Sequence, residues 1–316
     1  MNSLWLLLKT ELDRRSMATE PRIENQPNNL LGILAILTAM AAFICNDSIV
    51  KLNSERLPIS EIMFLRGLFS TTILLAWVVV ARGFEAFKHC KDPVVIYRSL
   101  LDFVGSFCFL SALYNMPIAN ATAILQSMPL LMTVFAFLFL RSPVGWRRWM
   151  AVAIGFLGVL LIVQPTVEGF NPASGWALAA VVLVTARDLI TRNARPHTPS
   201  VLITAAAALS VTVGGAILGW AENWETWVEP TGAEWGAVIA AALCLVVAYH
   251  LVVVAMRIGE IAAIAPFRYT IILWSLLSGF LFWGDIPNAL ALTGMTLVIV
   301  MGIYTFYRER KVLSKS

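Results

Sequence analysis

The sequence predicts an all-α integral membrane protein whose ten transmembrane helices form two inverted repeats of five, with both termini in the cytoplasm. Composition is the first reason: 59% of the 316 residues are hydrophobic and 13% are charged, whereas a soluble domain carries about 25% charged residues. The mean hydropathy is +0.78. The second reason is a series of long apolar stretches, and the third is a pattern that occurs twice.

The apolar stretches are each about 17–23 residues long, which is the length that an α-helix needs to cross a bilayer. Backbone groups in lipid must form their hydrogen bonds within the segment, so each stretch is predicted to be a helix. The connections are short and leave no room for a further domain. The ten predicted spans cover residues 30–51, 61–82, 95–116, 120–140, 148–164, 175–192, 200–220, 234–256, 262–283 and 288–307.

Basic residues predict the orientation, because cytoplasmic segments of membrane proteins are rich in lysine and arginine. With the N-terminus inside, the predicted cytoplasmic segments hold 17 basic residues, and the predicted outside loops hold only Lys51 and Arg56. Residues 1–29 and 309–316 are then cytoplasmic tails, with Met17 as an alternative start. We expect a multi-pass protein of the cell (inner) membrane.

The repeated pattern is clearest in two pairs of segments. "NDSIVKLNSERLP" at 46–58 and "RDLITRNARPHTP" at 187–199 share an Asp, an Ile two residues later, a basic residue and a Pro eleven residues after the Asp. A second match relates 112–129 to 255–272, and the two offsets are 141 and 143 residues. Two matches in the same order predict a duplication.

Each half of the chain therefore holds five predicted helices, the first repeat over 30–165 and the second over 175–308. Five is an odd number, so the second repeat enters the membrane in the opposite sense. Inverted repeats of this kind are typical of secondary transporters, whose substrate site lies where the repeats meet.

The chain resembles the EamA-domain branch of the drug/metabolite transporter superfamily. In the first half the resemblance is carried by "NATAILQSMPLLMTVFAFLFL" and "GWRRWMAVAIGFLGVLLIVQP", and in the second by "APFRYTIILWSLLSGFLFWGDIPNALALTGMTLVIVMGIYTFYRER". It implies transport of a small metabolite by alternating access, with a central cavity lined by helices 1, 3, 4, 6, 8 and 9 and with helices 5 and 10 at the periphery. The "GFLG" at 155–158 and the Gly294/Gly302 pair fit close helix packing.

Motifs for other kinds of chemistry are missing from the sequence. It has no G-x-x-x-x-G-K-[ST] for ATP, no H-E-x-x-H for zinc and no G-x-S-x-G for a nucleophilic serine. The four cysteines have no metal-ligand spacing. We therefore predict no cofactor, no bound metal and no enzymatic activity. The net charge of +4 follows from membrane topology and does not indicate a nucleic-acid partner.

Charged residues inside the predicted spans are the main candidates for substrate binding, because a charge in the membrane interior is costly. Arg98 and Asp102 lie four residues apart on one helix face, so they either neutralise each other or serve a substrate anion and a proton. Arg187 and Asp188 are adjacent; they are expected to point in different directions and to need other partners.

Asn46 and Asp47 lie near the outer end of the first span and are candidates for the outer mouth of a cavity. Asp47 is also spaced from Lys51 as an i,i+4 pair, so an ion pair at the helix end is the alternative. Arg66 lies about one turn inside the second span, near Glu61, and a structural or snorkelling role is favoured for it.

Arg268, in the stretch "APFRYTIILW", lies about 9 Å below the cytoplasmic end of the ninth span at 1.5 Å per residue. Contact with a substrate or a protein carboxylate is favoured over snorkelling and over remote packing. Pro266 suits the first turn of a helix that carries Arg268 and Tyr269 to the repeat interface.

Three further polar residues complete the candidate set. Gln126 lies near Pro129, which should loosen its helix. His250 is a candidate proton carrier, because an unperturbed histidine has a pKa near neutrality, although a lone histidine in a span is more often structural. Tyr114, like Tyr269, can stack on a ring or donate a hydrogen bond, but isolated aromatics usually only pack.

These features together predict a secondary carrier for a small organic metabolite, driven by protons or by substrate exchange. Three candidate arginines, Arg98, Arg187 and Arg268, face two acids, Asp102 and Asp188, which favours an anionic or zwitterionic substrate. The alternatives are an intramembrane enzyme or scaffold and a channel. Substrate identity, direction, coupling ion and the choice between monomer and homodimer stay open.

Overall fold

A computed structural model describes residues 28–140, 144–164, 172–191 and 200–313. The predicted N-terminal tail up to residue 27, the second copy of the repeated motif beyond Thr191 and the last three residues lie outside this part. The described residues form twelve α-helices: α1 (Asn29–Leu52), α2 (Ile59–Arg82), α3 (Pro93–Asn115), α4 (Ile118–Leu125), α5 (Met128–Leu140), α6 (Trp146–Val163), α7 (Pro172–Thr191), α8 (Ser200–Ala221), α9 (Gly232–Ile258), α10 (Ile261–Ile264), α11 (Thr270–Trp283) and α12 (Ala289–Leu313). Two 3₁₀ segments cover Phe84–Lys91 and Ala265–Tyr269.

Nine spans in the described part are long and apolar enough to cross a membrane. They coincide with the first nine predicted spans, counting α4 and α5 together and the segment from Ala265 to Trp283 as one. The tenth prediction falls on α12, whose apolar part is the shorter stretch Ala289–Thr305. The count of ten transmembrane helices therefore stays a prediction.

Local sequence explains where several helices begin. The Asn28 side chain accepts from the backbone of Leu31 at the start of α1, and Asp92 caps α3 with Pro93 in the first turn. Thr231 and Glu234 form a reciprocal capping box at the start of α9. These contacts satisfy backbone donors that a helix leaves free at its N-terminus.

Helix pairing joins the two halves of the chain throughout. The most extensive packing is between α1 and α9, α2 and α8, α3 and α7, and α6 and α12, and α4 also packs on α11. Each pair takes one helix from each predicted repeat. If α1–α3 correspond to α7–α9, exchanging the repeats converts the α1–α9 pair into the α7–α3 pair and leaves α2–α8 unchanged. The inverted arrangement itself remains a prediction.

Two hydrogen bonds join residues that the duplication predicts to be equivalent. The Thr71 and Thr212 hydroxyls, 141 residues apart, lie 3.0 Å from each other between α2 and α8. The Gln126 amide donates to the carbonyl of Arg268, 142 residues later, at 3.5 Å. Contacts between equivalent positions are expected where two repeats meet around a common axis.

Glycines allow α6 and α12 to cross closely, as expected from their sequence. A Cβ atom at Gly158 would lie 2.8 Å from the Gly294 carbonyl oxygen, and one at Gly294 would lie 2.5 Å from that of Gly158. Only glycine permits this approach of two helix backbones. The contact joins α6 and α12, one helix from each half of the chain.

Two spans are interrupted in their N-terminal parts, at positions that the repeat makes equivalent. The fourth breaks between α4 and α5 at Gln126, and Pro129 cannot donate to the carbonyl of Leu125. The ninth passes from α10 through the 3₁₀ segment, with Pro266 in its first turn, into α11. Pro129 thus lies beside a break, as expected. The α-helix after Pro266 begins only at Thr270, because the residues from Ala265 to Tyr269 form a 3₁₀ turn.

Candidate functional site

A cavity of about 260 Å³ lies between the two halves of the chain. Its walls come from α1, α2, α3, α4, α5, α7, α8, α9 and α11 and from both helix interruptions, and neither α6 nor α12 reaches it. The family resemblance implied a narrower lining, without the second and seventh spans. In the structure α2 contributes Arg66 and Ser70, and α8 contributes Ala207 and Val211.

The cavity brings together most of the residues selected from the sequence. Seven of them line it, namely Asn46, Asp47, Arg98, Asp102, Gln126, Arg187 and Arg268. The remaining four, Tyr114, Asp188, His250 and Tyr269, do not belong to its lining.

Asp102 is held mainly by an arginine from the other half of the chain. Arg187 Nη1 donates to Asp102 Oδ1, while Arg98 Nη1 lies 3.9 Å from Asp102 Oδ2. The predicted Arg98–Asp102 pair is therefore the weaker of two. Residue spacing along one helix predicts only partners on that same helix. Arg187 reaches Asp102 from a different helix, because α7 packs directly against α3.

Arg187 and Asp188 contact each other, which corrects the prediction that they could not. Arg187 Nε and Nη2 lie 2.9 Å and 2.8 Å from Asp188 Oδ1. The arginine side chain is long enough to fold back to its neighbour while its other nitrogen reaches Asp102. Arg187 thus connects two carboxylates, one facing the cavity and one beside it.

Arg98 fastens α3 to the ends of two other helices. Its Nε donates to Thr191 Oγ1 at 3.0 Å, and its Nη1 donates to the Ile203 carbonyl at 3.4 Å. Its side chain is largely buried. The guanidinium therefore points into the protein and does not snorkel to the membrane surface.

A second polar group occupies the wall nearer the predicted outer side. Arg66 is 7% exposed, and its Nη1 donates to Asn46 Oδ1 at 3.2 Å. Asn46 Nδ2 in turn donates to Asp47 Oδ1 at 2.8 Å. A snorkelling role for Arg66 is wrong, because Arg66 is buried and lines the cavity. Glu61, its expected neighbour, accepts from the backbone of Val228 instead.

Lys51 does not form the predicted pair with Asp47. It donates to the Met116 carbonyl at the end of α3, and its ammonium lies 5.4 Å from the centroid of the Trp283 ring. The ammonium therefore joins the predicted outer ends of α1, α3 and α11. Spacing along α1 permitted the ion pair, but the neighbouring helix ends supply competing partners.

Arg268 lines the cavity and is exposed to it. In the part of the chain that the structure describes, no carboxylate lies within 4 Å of its guanidinium, so the expected contact with a protein acid is not present. Its backbone carbonyl accepts from Gln126, which places the two helix interruptions side by side. Arg268 therefore presents a cation without an ion-pair partner to the cavity.

The four candidates outside the cavity lining have other contacts. The Tyr114 hydroxyl donates to the Leu57 carbonyl at 3.1 Å. Tyr269 is buried with its hydroxyl against Gly302 of α12. The His250 ring lies 4.8 Å from that of Trp77. Tyr114 and Tyr269 belong to the apolar core clusters of the fold, and their contact with a ligand stays a prediction.

Sequence reasoning overlooked Tyr249. This residue precedes His250 on α9 and lines the cavity, and its ring packs edge-on against Phe43 at 5.3 Å. The duplication contained the signal: at an offset of 143 residues Tyr249 corresponds to Ser106, which also lines the cavity. A comparison of equivalent positions would have preferred Tyr249 to its neighbour.

The described residues contain no group of three or more His, Cys, Asp or Glu side chains placed to hold a metal ion. The cavity instead combines guanidinium groups, carboxylates, amides and aromatic rings. Such a lining can bind and release a polar organic molecule through charge-assisted hydrogen bonds.

Residues 30–164 match the model of the EamA-like transporter family. The chain carries an EamA domain. This finding confirms the resemblance seen in the sequence, and together with nine spans in the described part it identifies the chain as a multi-pass membrane protein.

Curated relatives of this chain are similar to it over nearly their whole length. An S-adenosylmethionine uptake transporter of Rickettsia bellii is 28% identical, over 90% of this chain and 96% of its own. The pseudopaline exporter CntI of Pseudomonas aeruginosa is 24% identical over 85% and 93%. A riboflavin transporter of Vibrio cholerae is 24% identical over 89% and 95%. All three are transporters of small molecules.

A solved crystal structure supports the fold of this chain. It superimposes with a TM-score of 0.61 at 18% sequence identity and covers 89% of this chain and 98% of its own. At this identity the likeness concerns the arrangement of helices alone.

Proposed function

We propose that this chain is a secondary active transporter that moves a small organic metabolite across the membrane by alternating access. The observation that carries the proposal is the cavity at the boundary between the two halves, bordered by both interrupted spans. Interrupted helices at the interface of repeats are where transporters bind substrate, because unwound backbone and helix ends supply polar groups at membrane depth. We assign residues 175–308 as a second, inverted EamA repeat.

The helix pairing supports a rocking mechanism. Because α1 packs on α9 and α3 on α7, the cavity lies between two helix pairs that both contain members of each half. Movement of one pair against the other would open the cavity first to one side and then to the other. The close α6–α12 contact lies outside the cavity and can hold the halves together during such movement.

The charges of the cavity favour an anionic or zwitterionic substrate. Asp102 is already paired with Arg187, and Arg98 is engaged by hydroxyl and carbonyl groups. Arg268 has no ion-pair partner among the described residues, so a carboxylate of the substrate would satisfy its planar fork of donors. The volume of about 260 Å³ lies near the lower end of the range for small-molecule sites.

Two alternatives are less well supported. A channel would need a ring of like charges along one pore axis, whereas this wall places acids next to arginines. An intramembrane enzyme or a scaffold would not need a cavity that opens to both sides of the membrane. The curated relatives are also named as transporters.

A thermal-shift screen of the purified protein followed by uptake into proteoliposomes tests the proposal. S-adenosylmethionine and riboflavin are included as probes beside a set of common carboxylate-bearing metabolites. A ligand at about a hundred times its dissociation constant stabilises the fold by about 2.7 kcal/mol, and we expect that compound to enter the vesicles. Chemical conversion of the bound compound, or stabilisation without any movement across the bilayer, would contradict a transporter.

A further inference from the structure

The two acidic side chains in the cavity wall have different partners. Asp102 lies beside two arginines. Asp47 has no lysine, arginine or histidine within 4 Å in the described ranges, and its recorded side-chain partner is the amide of Asn46. Both carboxylates line the same cavity, so the difference is one of pairing and not of location.

An amide separates Asp47 from the nearest arginine of the wall. Arg66 donates to the oxygen of Asn46, and the nitrogen of Asn46 donates to Asp47, at 3.2 Å and 2.8 Å. Asn46 and Arg66 are both buried, with 1% and 7% of their surface exposed. Arg66 interacts electrostatically with Asp47 but does not touch it. The Asn46 amide therefore bridges Arg66 and Asp47, which do not contact each other directly.

Among the described residues, Arg66 of α2 is the charged group that interacts with Asp47. Tyr249 of α9 and Tyr114 of α3 interact with Arg66. A hydrogen bond between the Ser48 and Ser278 hydroxyls, at 2.5 Å, joins α1 to α11. The 3₁₀ segment contributes Arg268 to the same cavity.

This geometry gives Asp47 two ways to avoid an uncompensated charge inside the fold. The carboxylate can bind a proton and become neutral, or it can move the short distance to Arg66 and form the ion pair directly. Asp102 lacks this choice, because Arg187 already neutralises it. Asp47 and Arg66 therefore form an element with two discrete arrangements that differ by one proton.

We propose that Asp47 is the proton-carrying residue of this transporter. One proton binds to its carboxylate from the side to which the cavity is open, and the same proton is released to the other side when the ionised carboxylate pairs with Arg66. No other reactant is consumed. The inference rests on the proposed transport function and adds the proton as its coupling ion.

Proteoliposomes with an imposed pH gradient test the inference, with labelled S-adenosylmethionine and riboflavin as probes. We expect the wild-type protein to accumulate a probe under the gradient. In Asp47→Asn the ratio of probe uptake with the pH gradient to uptake without it should fall to one, whatever the rate of exchange, and Asp47→Glu should keep that ratio above one. Glu85→Gln, which removes an exposed carboxylate of the Phe84–Lys91 segment, is the matched control and should behave as wild type.

An infrared titration of the purified protein provides a readout that needs no substrate. On acidification the wild type and Glu85→Gln should develop the C=O band of a protonated buried carboxyl group, and Asp47→Asn should lack that band. A gradient response or an unchanged band in Asp47→Asn would overturn the assignment. Exchange by the wild type without any gradient response would overturn it too, yet leave the transporter itself standing. Absence of exchange of every probe by the wild type would remove both proposals.

Discussion

Arg268 presents its guanidinium to the cavity without an ion-pair partner in the described part of the chain. An arginine at this depth in a membrane is costly, since even the lower estimates are about 3 kcal/mol. It is retained beside the break in the ninth span, where the carbonyl of the same residue accepts from Gln126. Depth, exposure to the cavity and lack of a partner together indicate a ligand contact.

Substitutions at Arg268 separate a ligand contact from a packing role. Arg268→Lys keeps the charge and loses the bidentate fork, so substrate affinity should fall about tenfold to hundredfold while folding stays near normal. Arg268→Leu should abolish uptake in a protein that still reaches the membrane. Arg257→Lys, at the end of α9 and outside the cavity lining, is the control. Uptake per folded molecule is the measurement, and full activity of Arg268→Leu would end the idea of a substrate contact.

The pairing of Asp102 gives a second prediction at the scale of single residues. The sequence predicted Arg98 as its partner, whereas in the structure Arg187 is the nearer one. Asp102→Asn leaves Arg187 without its cavity-facing acid and should destabilise the fold by about 3–5 kcal/mol. Adding Arg187→Gln should restore more of the unfolding free energy than adding Arg98→Gln. Thermal denaturation of all three variants in the same detergent measures the difference, and better rescue through Arg98 would refute the pairing across the halves.

Individual site residues could be predicted only in part. Charged residues in apolar spans stand out in any sequence, so Arg98, Asp102, Arg187 and Arg268 were identified before the structure. Their pairing was not, because spacing along one helix says nothing about a side chain that arrives from another helix. Tyr249 escaped notice for the opposite reason, since a tyrosine within an apolar span resembles ordinary packing.

At the scale of elements, hydropathy located the spans to within a few residues of the observed helices but did not detect where two of them break. Mean hydropathy does not depend on whether a helix is continuous, so α4 and α5 appear in the sequence as one apolar stretch. Pro129 and Pro266 were the local signals. What the sequence could not supply is that the two breaks lie side by side, which depends on the packing of α4 against α11.

Pro129→Ala tests whether the interruption of the fourth span matters for function. The new N–H can donate to the Leu125 carbonyl, so α4 and α5 should join into a continuous helix with unchanged or higher thermal stability. Uptake should fall severalfold, because Gln126 and Met128 at the break would turn away from the cavity they now line. Pro93→Ala, at the first position of α3, where the backbone N–H has no partner within that helix, is the control and should leave uptake unchanged. Wild-type uptake by Pro129→Ala would show that the break is incidental.

At the scale of the whole molecule, the main interfaces join one half of the chain to the other, as the predicted duplication requires. The offset of about 141 residues was readable from short motifs, and it reappears in the Thr71–Thr212 contact. The sides of the membrane were inferred from basic residues alone. Alternating access, in which the cavity opens to one side of the membrane at a time, was inferred from the predicted inverted repeat.

Loop labelling tests the predicted topology of the whole chain. Tags placed in 165–175 and 221–234 should react from outside, and tags in 83–94 and 142–147 should react only from inside. Each tag is checked for intact folding by size-exclusion chromatography. A single loop that labels from the opposite side would contradict the ten-helix, N-inside arrangement.

Counterflow in proteoliposomes tests the central claim, transport by alternating access, most directly. Vesicles are loaded with the unlabelled compound that stabilises the protein most, and the labelled compound is added outside at low concentration. A carrier whose cavity opens to one side at a time should show a transient overshoot of internal label, faster than uptake into empty vesicles, and Arg268→Leu should abolish it. Uptake that is indifferent to the internal compound, as through a channel, or no uptake at all by wild-type protein, would contradict alternating access.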